Sequence, residues 1–97
     1  MLRKVTLDHH GQFYAGTIRN ISTTGALVEG LWYVPVGTIL TIQLSERHTV
    51  TATTRWSSQD RMGLEFSVPL PRDAGGRIEA VQDSAAPLRR PLIQQAG

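Results

Sequence analysis

An all-β fold closing into a small antiparallel barrel is what this sequence predicts, and three observations predict it. Apolar residues recur at every second position in short runs between Val5 and Phe66. Those runs are rich in Val, Ile and Thr, which suit a pleated, half-buried surface. Gly, Pro, Asn, Ser and His interrupt them at short intervals, the punctuation of hairpin-linked strands. Five or six such strands left as an open sheet would expose two edges, and closure removes them.

In chain order, the first run ends at Asp8, His9, His10 and Gly11, read as a polar turn between strands. Adjacent histidines on extended backbone point to opposite faces, so this cluster is assigned no metal. Phe13 to Ile21 reads as a strand with mixed faces, and Ala26 to Glu29 as a short strand entered through Gly25. Trp32 and Tyr33 lie in an apolar loop, LWYVPVG, which reads as a packing plug or a partner-docking patch. Pro35 and Gly37 lead into Thr38 to Leu44, with Leu40, Ile42 and Leu44 on one face. Ser45 to His48 forms a hairpin turn into Thr49 to Trp56. There Val50, Ala52, Thr54 and Trp56 share a face opposite Thr49, Thr51, Thr53 and Arg55. A second turn, Ser57 to Asp60, leads into Arg61 to Phe66, with Met62, Leu64 and Phe66 together. Arg72 to Gln82 predicts a short helix over one end of the barrel, with Ile78 and Val81 on its inner face. Gly75 and Gly76 weaken it by about 1 kcal/mol each. Residues 1–83 form one domain, and 84–97, with two prolines and no periodicity, a flexible tail.

Length and composition bound the function. Ninety-seven residues make one small domain with a single core. Hydrophobic content of 40% and charged content of 19% suit a globular chain. No apolar run is long enough for a membrane helix, and the N-terminus has no apolar segment of a secretory signal. The absence of cysteine excludes disulfides and thiolate chemistry and fits a reducing cytoplasm. Net charge is only +2, and the Arg89–Arg90 pair near the end supplies that excess. With only six aromatic residues, several of them needed in the core, no DNA- or RNA-binding surface is read. GxSxG, P-loop and HExxH motifs are missing, and Ser45 and His48 share a turn with no orienting carboxylate, so the chain is not read as an enzyme.

The informative segment runs from Arg19 to Val28, RNISTTGALV. As local structure it is a strand end, a polar turn whose Asn and Ser side chains cap their own backbone, and a glycine that reopens a strand. As a binding element, Asn20 and Ser22 stand two apart, so on extended backbone they offer an amide and a hydroxyl from one face, with Gly25 allowing close approach. Alternation turns Arg19 away from that face.

Asn20-x-Ser22-x-x-Gly25 resembles the (Asp/Asn)-x-Ser-x-x-Gly motif of PilZ domains, bacterial cytoplasmic receptors for cyclic di-GMP. Gly25-Ala26-Leu27-Val28 is similar to the family's strand after the motif. Trp56 followed by Arg61-Met62-Gly63-Leu64-Glu65-Phe66 is similar to its late hairpin. The resemblance covers about Val5 to Gln82. It implies a six-stranded antiparallel barrel with a C-terminal helix, cyclic di-GMP as ligand with no cofactor, and second-messenger coupling to a partner or companion domain. It also implies an Arg-x-x-x-Arg arm that folds over the ligand. Here the sequence departs from the family. Only Arg3 and Lys4 precede the motif as candidates, and Leu7 stands where a second arginine would follow Arg3. The implied ligand residues are therefore Asn20, Ser22 and Gly25, with Arg3 as a partial substitute. Two missing arginine contacts at ~1–3 kcal/mol each would weaken binding steeply. The alternative is a degenerate module that keeps the barrel, has lost the nucleotide and serves as a protein-interaction surface.

Overall fold

The computed structural model describes residues 2–78, and they form a closed six-stranded barrel. The strands are β1 (Arg3–His9), β2 (Gln12–Ile21), β3 (Gly25–Glu29), β4 (Ile39–Ser45), β5 (His48–Ser58) and β6 (Arg61–Phe66). Around the barrel the order is β1-β2-β3-β6-β5-β4, and every neighbouring pair is antiparallel. Closure comes from β1 against β4, where Thr6, Leu7 and Asp8 face Gln43, Ile42 and Thr41.

Two-residue turns set the hairpin registers. His10 and Gly11 both have positive φ, 55° and 87°, the primed geometry whose twist matches the flanking strands. The Asp8 carboxylate accepts the Gly11 amide at 2.9 Å, so the predicted polar turn is closed by its own first residue. Ser45 pairs with His48 across the β4–β5 turn. The Ser45 hydroxyl lies 3.1 Å from His48 Nδ1 and accepts the Arg47 amide.

Alternation carries one row of side chains inward from each strand. Leu7, Ile42 and Val50 form one inner layer across β1, β4 and β5. Ile18, Val28 and Met62 form another across β2, β3 and β6. The predicted sets Leu40-Ile42-Leu44 and Met62-Leu64-Phe66 are all buried. Each fully enclosed Leu or Ile contributes about 1.5–3 kcal/mol relative to an exposed one.

Two sequence expectations are corrected here. Trp56 does not continue the inward row of Val50, Ala52 and Thr54. It stands outside, 47% exposed, because a bulge between Thr54 and Trp56 reverses the alternation. The expected helix is also absent from Arg72 to Ile78. That stretch is a tight turn closed by an isolated bridge between Arg72 and Ile78. The Asp73 carboxylate accepts the amides of Gly75 and Arg77, an arrangement that competes directly with helical bonding. Leu70 joins the core cluster and Ile78 packs against it, so non-helical chain supplies apolar contacts expected of the helix. The remainder of the expected helix, 79–82, and the expected tail, 84–97, lie outside the described residues.

A candidate ligand cleft on the barrel wall

The cleft begins with a register fault in β2. Ile18 pairs with Val28 and Asn20 with Leu27, so Arg19 is an extra residue with no opposite number. Strict alternation would send Asn20 inward with Ile18, which is fully buried. The bulge turns it out. β5 repeats the device, since Thr54 pairs with Leu64 and Trp56 with Gly63, leaving Arg55 as the extra residue. Asn20, Leu27, Gly63 and Trp56 consequently form one transverse row on the outer surface of β2, β3, β6 and β5.

Gly63 is the floor under the indole. A Cβ on this residue would collide with the Trp56 ring, so only glycine lets the ring lie flat across β6. Beyond that row stands Glu65, paired with Gly25 on one side and Thr53 on the other. Arg55 Nε donates to Glu65 Oε1 at 2.6 Å.

The segment between β2 and β3 forms the rim. Ser22 lies beyond the strand end, so its closeness to Asn20 comes from the turn and not from extended alternation. The Ser22 amide donates to the Gly25 carbonyl at 2.8 Å. Its hydroxyl oxygen accepts the amides of Thr24 and Gly25, each at 3.2 Å, and lies 3.3 Å from Thr24 Oγ1. The hydroxyl therefore shapes the turn, the local role weighed for it on sequence grounds. Asn20 Oδ1 accepts the Ile21 amide at 3.0 Å, which directs the side-chain NH₂ elsewhere. Gly25 has no positive φ, so the position does not use glycine's conformational freedom. Its missing side chain serves another purpose: a Cβ would overlap the Leu64 carbonyl oxygen of β6.

These residues enclose an open cleft of about 340 Å³. Asn20, Ser22 and Gly25 all line it, together with Leu27, Arg55, Trp56, Gly63 and Glu65. Arg3 does not. Its register partner is Ile18, and its guanidinium donates to the Leu44 carbonyl through Nε at 3.1 Å and Nη2 at 3.0 Å. Arg19 shares the outer surface with Asn20 but reaches Glu29 at 3.2 Å, and Arg61 binds the other oxygen of the same carboxylate at 2.7 Å. The sequence pattern puts Arg55 on the face opposite the inward row, with no site role, and Trp56 inside. The signal that could have found them is Gly63, a glycine inside a strand, which marks close approach of another group.

A second cavity, about 450 Å³, lies beside the LWYVPVG loop and is lined by His9, Tyr14, Leu31, Val34 and Leu40 among others. Leu31 and Val34 pack against the core, while Trp32 and Tyr33 remain 63% and 68% exposed. The loop is thus plug and exposed aromatic surface at once. The Tyr33 amide ties it to the β5–β6 turn by donating to the Gln59 carbonyl at 2.8 Å.

A family model described as PilZ domain matches residues 1–81 of this chain. No curated protein and no solved structure matches it.

Proposed function

We infer, from the premise that this chain belongs to the PilZ domain family, that it is a receptor domain for cyclic di-GMP whose site is the cleft on the barrel wall. The observation that carries the reading is the convergence of the three motif residues with an exposed indole on one surface. Asn20 presents amide hydrogens. The Ser22 turn and Gly25 bring backbone to the rim, and Trp56 offers a flat face on which a guanine stacks. Stacking of a base on an aromatic side chain is worth ~1–3 kcal/mol. A binding domain of this kind requires no bond-making chemistry and no cofactor. Ligand that prefers one arrangement of the cleft rim alters whatever partner or companion domain reads that surface. The exposed Trp32–Tyr33 loop is the surface we assign to such a partner. Among the described residues no helix is long and apolar enough to cross a membrane. The reading places the domain in the bacterial cytoplasm.

The alternative, a module that keeps the barrel without the nucleotide, is favoured by one observation. Arg3 is bonded to the Leu44 carbonyl and lies outside the cleft, so the expected arginine substitute is engaged elsewhere.

Calorimetric titration with cyclic di-GMP, alongside tryptophan emission in a Trp32→Phe background, separates the two. Saturable heat with a change in Trp56 emission, and a calorimetric affinity that falls at least tenfold in Trp56→Ala, support the receptor. No heat at millimolar ligand and an unchanged spectrum leave the interaction module.

A further inference from the structure

The cleft contains a charged pair that the Asn-x-Ser-x-x-Gly motif does not account for. Among the described residues lining it, Arg55 is the one cation and Glu65 the one anion. The two are joined at 2.6 Å. Glu65 is fixed directly across from Gly25 by the β3–β6 register. Arg55 is fixed by the β5 bulge, one residue before the indole. Both side chains are more than half exposed, at 61% and 56%, and an ion pair so open to water adds little stability. The guanidinium is therefore held at the cleft by a partner it can leave at small cost.

A cyclic dinucleotide carries two phosphodiester charges, and a cleft whose only charges cancel gives them no attraction. A guanidinium that turns from a carboxylate to a phosphate exchanges one anion for another, and its planar fork suits two phosphate oxygens where the Glu65 contact is a single Nε–Oε1 bond. We propose that Arg55 is the phosphate-binding cation of this cleft and that Glu65 is its built-in competitor, which sets the affinity by occupying the guanidinium when no ligand is present. This rests on the reading of the cleft as a cyclic di-GMP site. It adds to that reading the residue that meets the anion and the residue that opposes it.

The two variants move affinity in opposite directions. Arg55→Met removes the cation and lowers affinity for cyclic di-GMP about 10- to 100-fold, the range for a charged hydrogen-bond partner. Arg55→Lys, which keeps the charge but not the fork, falls between Arg55→Met and the unaltered chain. Glu65→Gln removes the competitor and tightens binding by roughly 2- to 5-fold, the range for an exposed ion pair. Raising salt weakens the unaltered chain more than Arg55→Met, which has one fewer phosphate contact. The measurement is calorimetric titration of the whole chain, these three variants and Trp56→Ala, with circular dichroism melts to show that each is folded. Binding that Trp56→Ala weakens and Arg55→Met leaves unchanged overturns this proposal while the receptor reading stands. Glu65→Gln binding more weakly than the unaltered chain also overturns it, because the carboxylate then contacts ligand directly. No binding by the unaltered chain or by Glu65→Gln removes both.

Discussion

Replacing Gly25 by alanine tests the reasoning that this glycine is required by the wall of the barrel. The added Cβ overlaps the Leu64 carbonyl oxygen, a backbone atom inside β6, so no rotamer change relieves it. β3 has to withdraw from β6 at its first residue. Near that point the Phe66 amide donates to Thr24 at 2.8 Å, the Leu70 amide donates to Thr23 at 2.7 Å, and Gly25 pairs with Glu65. Loss or lengthening of two or three such bonds at about 1 kcal/mol each, together with loosened packing of Ala26 and Leu64, gives a destabilisation of about 2–4 kcal/mol. Alanine restricts the unfolded chain and returns about 0.4–1 kcal/mol, which is too little to reverse the sign. The net loss is then about 1–3.6 kcal/mol, and since each kcal/mol moves Tm by about 4–8 °C for a domain of this size, the expected fall is about 4–29 °C. Thermal melts followed by circular dichroism, with urea melts to confirm an unchanged slope, make the measurement. A shift under about 4 °C would refute the argument, because β3 and β6 could then accommodate a methyl group where the geometry leaves no space.

Two further predictions separate site from scaffold. Gly63→Ala also produces a collision, but with the partly exposed Trp56 ring, which can swing aside; Tm is expected to move by less than about 4 °C while Trp56 emission shifts to the red in the Trp32→Phe background. An unshifted spectrum would show that the indole does not lie over Gly63. The Arg72–Ile78 turn is expected to loosen in acid. The Asp73 carboxyl is held below its ordinary value, first by the Arg77 amide bond, against an opposing effect of burial, and further by the Gly75 amide and the Arg77 charge. A depressed carboxyl stabilises the turn above the ordinary pKa of about 4, and that contribution is lost as pH falls through the lower folded value. Amide exchange at Gly75 and Arg77, corrected for intrinsic rates, should accelerate below pH of about 4. Asp73→Asn should remove the pH dependence.

Much of the barrel is legible in local pattern. Leu40-Ile42-Leu44 and Met62-Leu64-Phe66 are buried as alternation requires, since on a regular strand every second side chain points the same way whatever the strand pairs with. The motif residues were legible as a group, although the reason they meet was not. Asn20 and Ser22 converge through a bulge and a capped turn, and not through the two-residue period of an extended strand. Over Arg72 to Ile78 the apolar spacing suggested a helix, but the Asp73 carboxylate binds the backbone locally and the tight turn prevails.

By itself the sequence determined an all-β chain, the order of its strands and turns, the inward rows and the family to which it belongs, because these depend on periodicity and on short segments read along the backbone. The tertiary structure decided which side of the wall Asn20 and Trp56 occupy. An extra residue in one strand is extra only relative to the strand beside it, so the bulges at Arg19 and Arg55 exist in the pairing with β3 and β6 and not in either segment alone. By reversing alternation at two places, that pairing moves an amide and an indole from the core side to the outer surface and puts Arg55 beside Glu65.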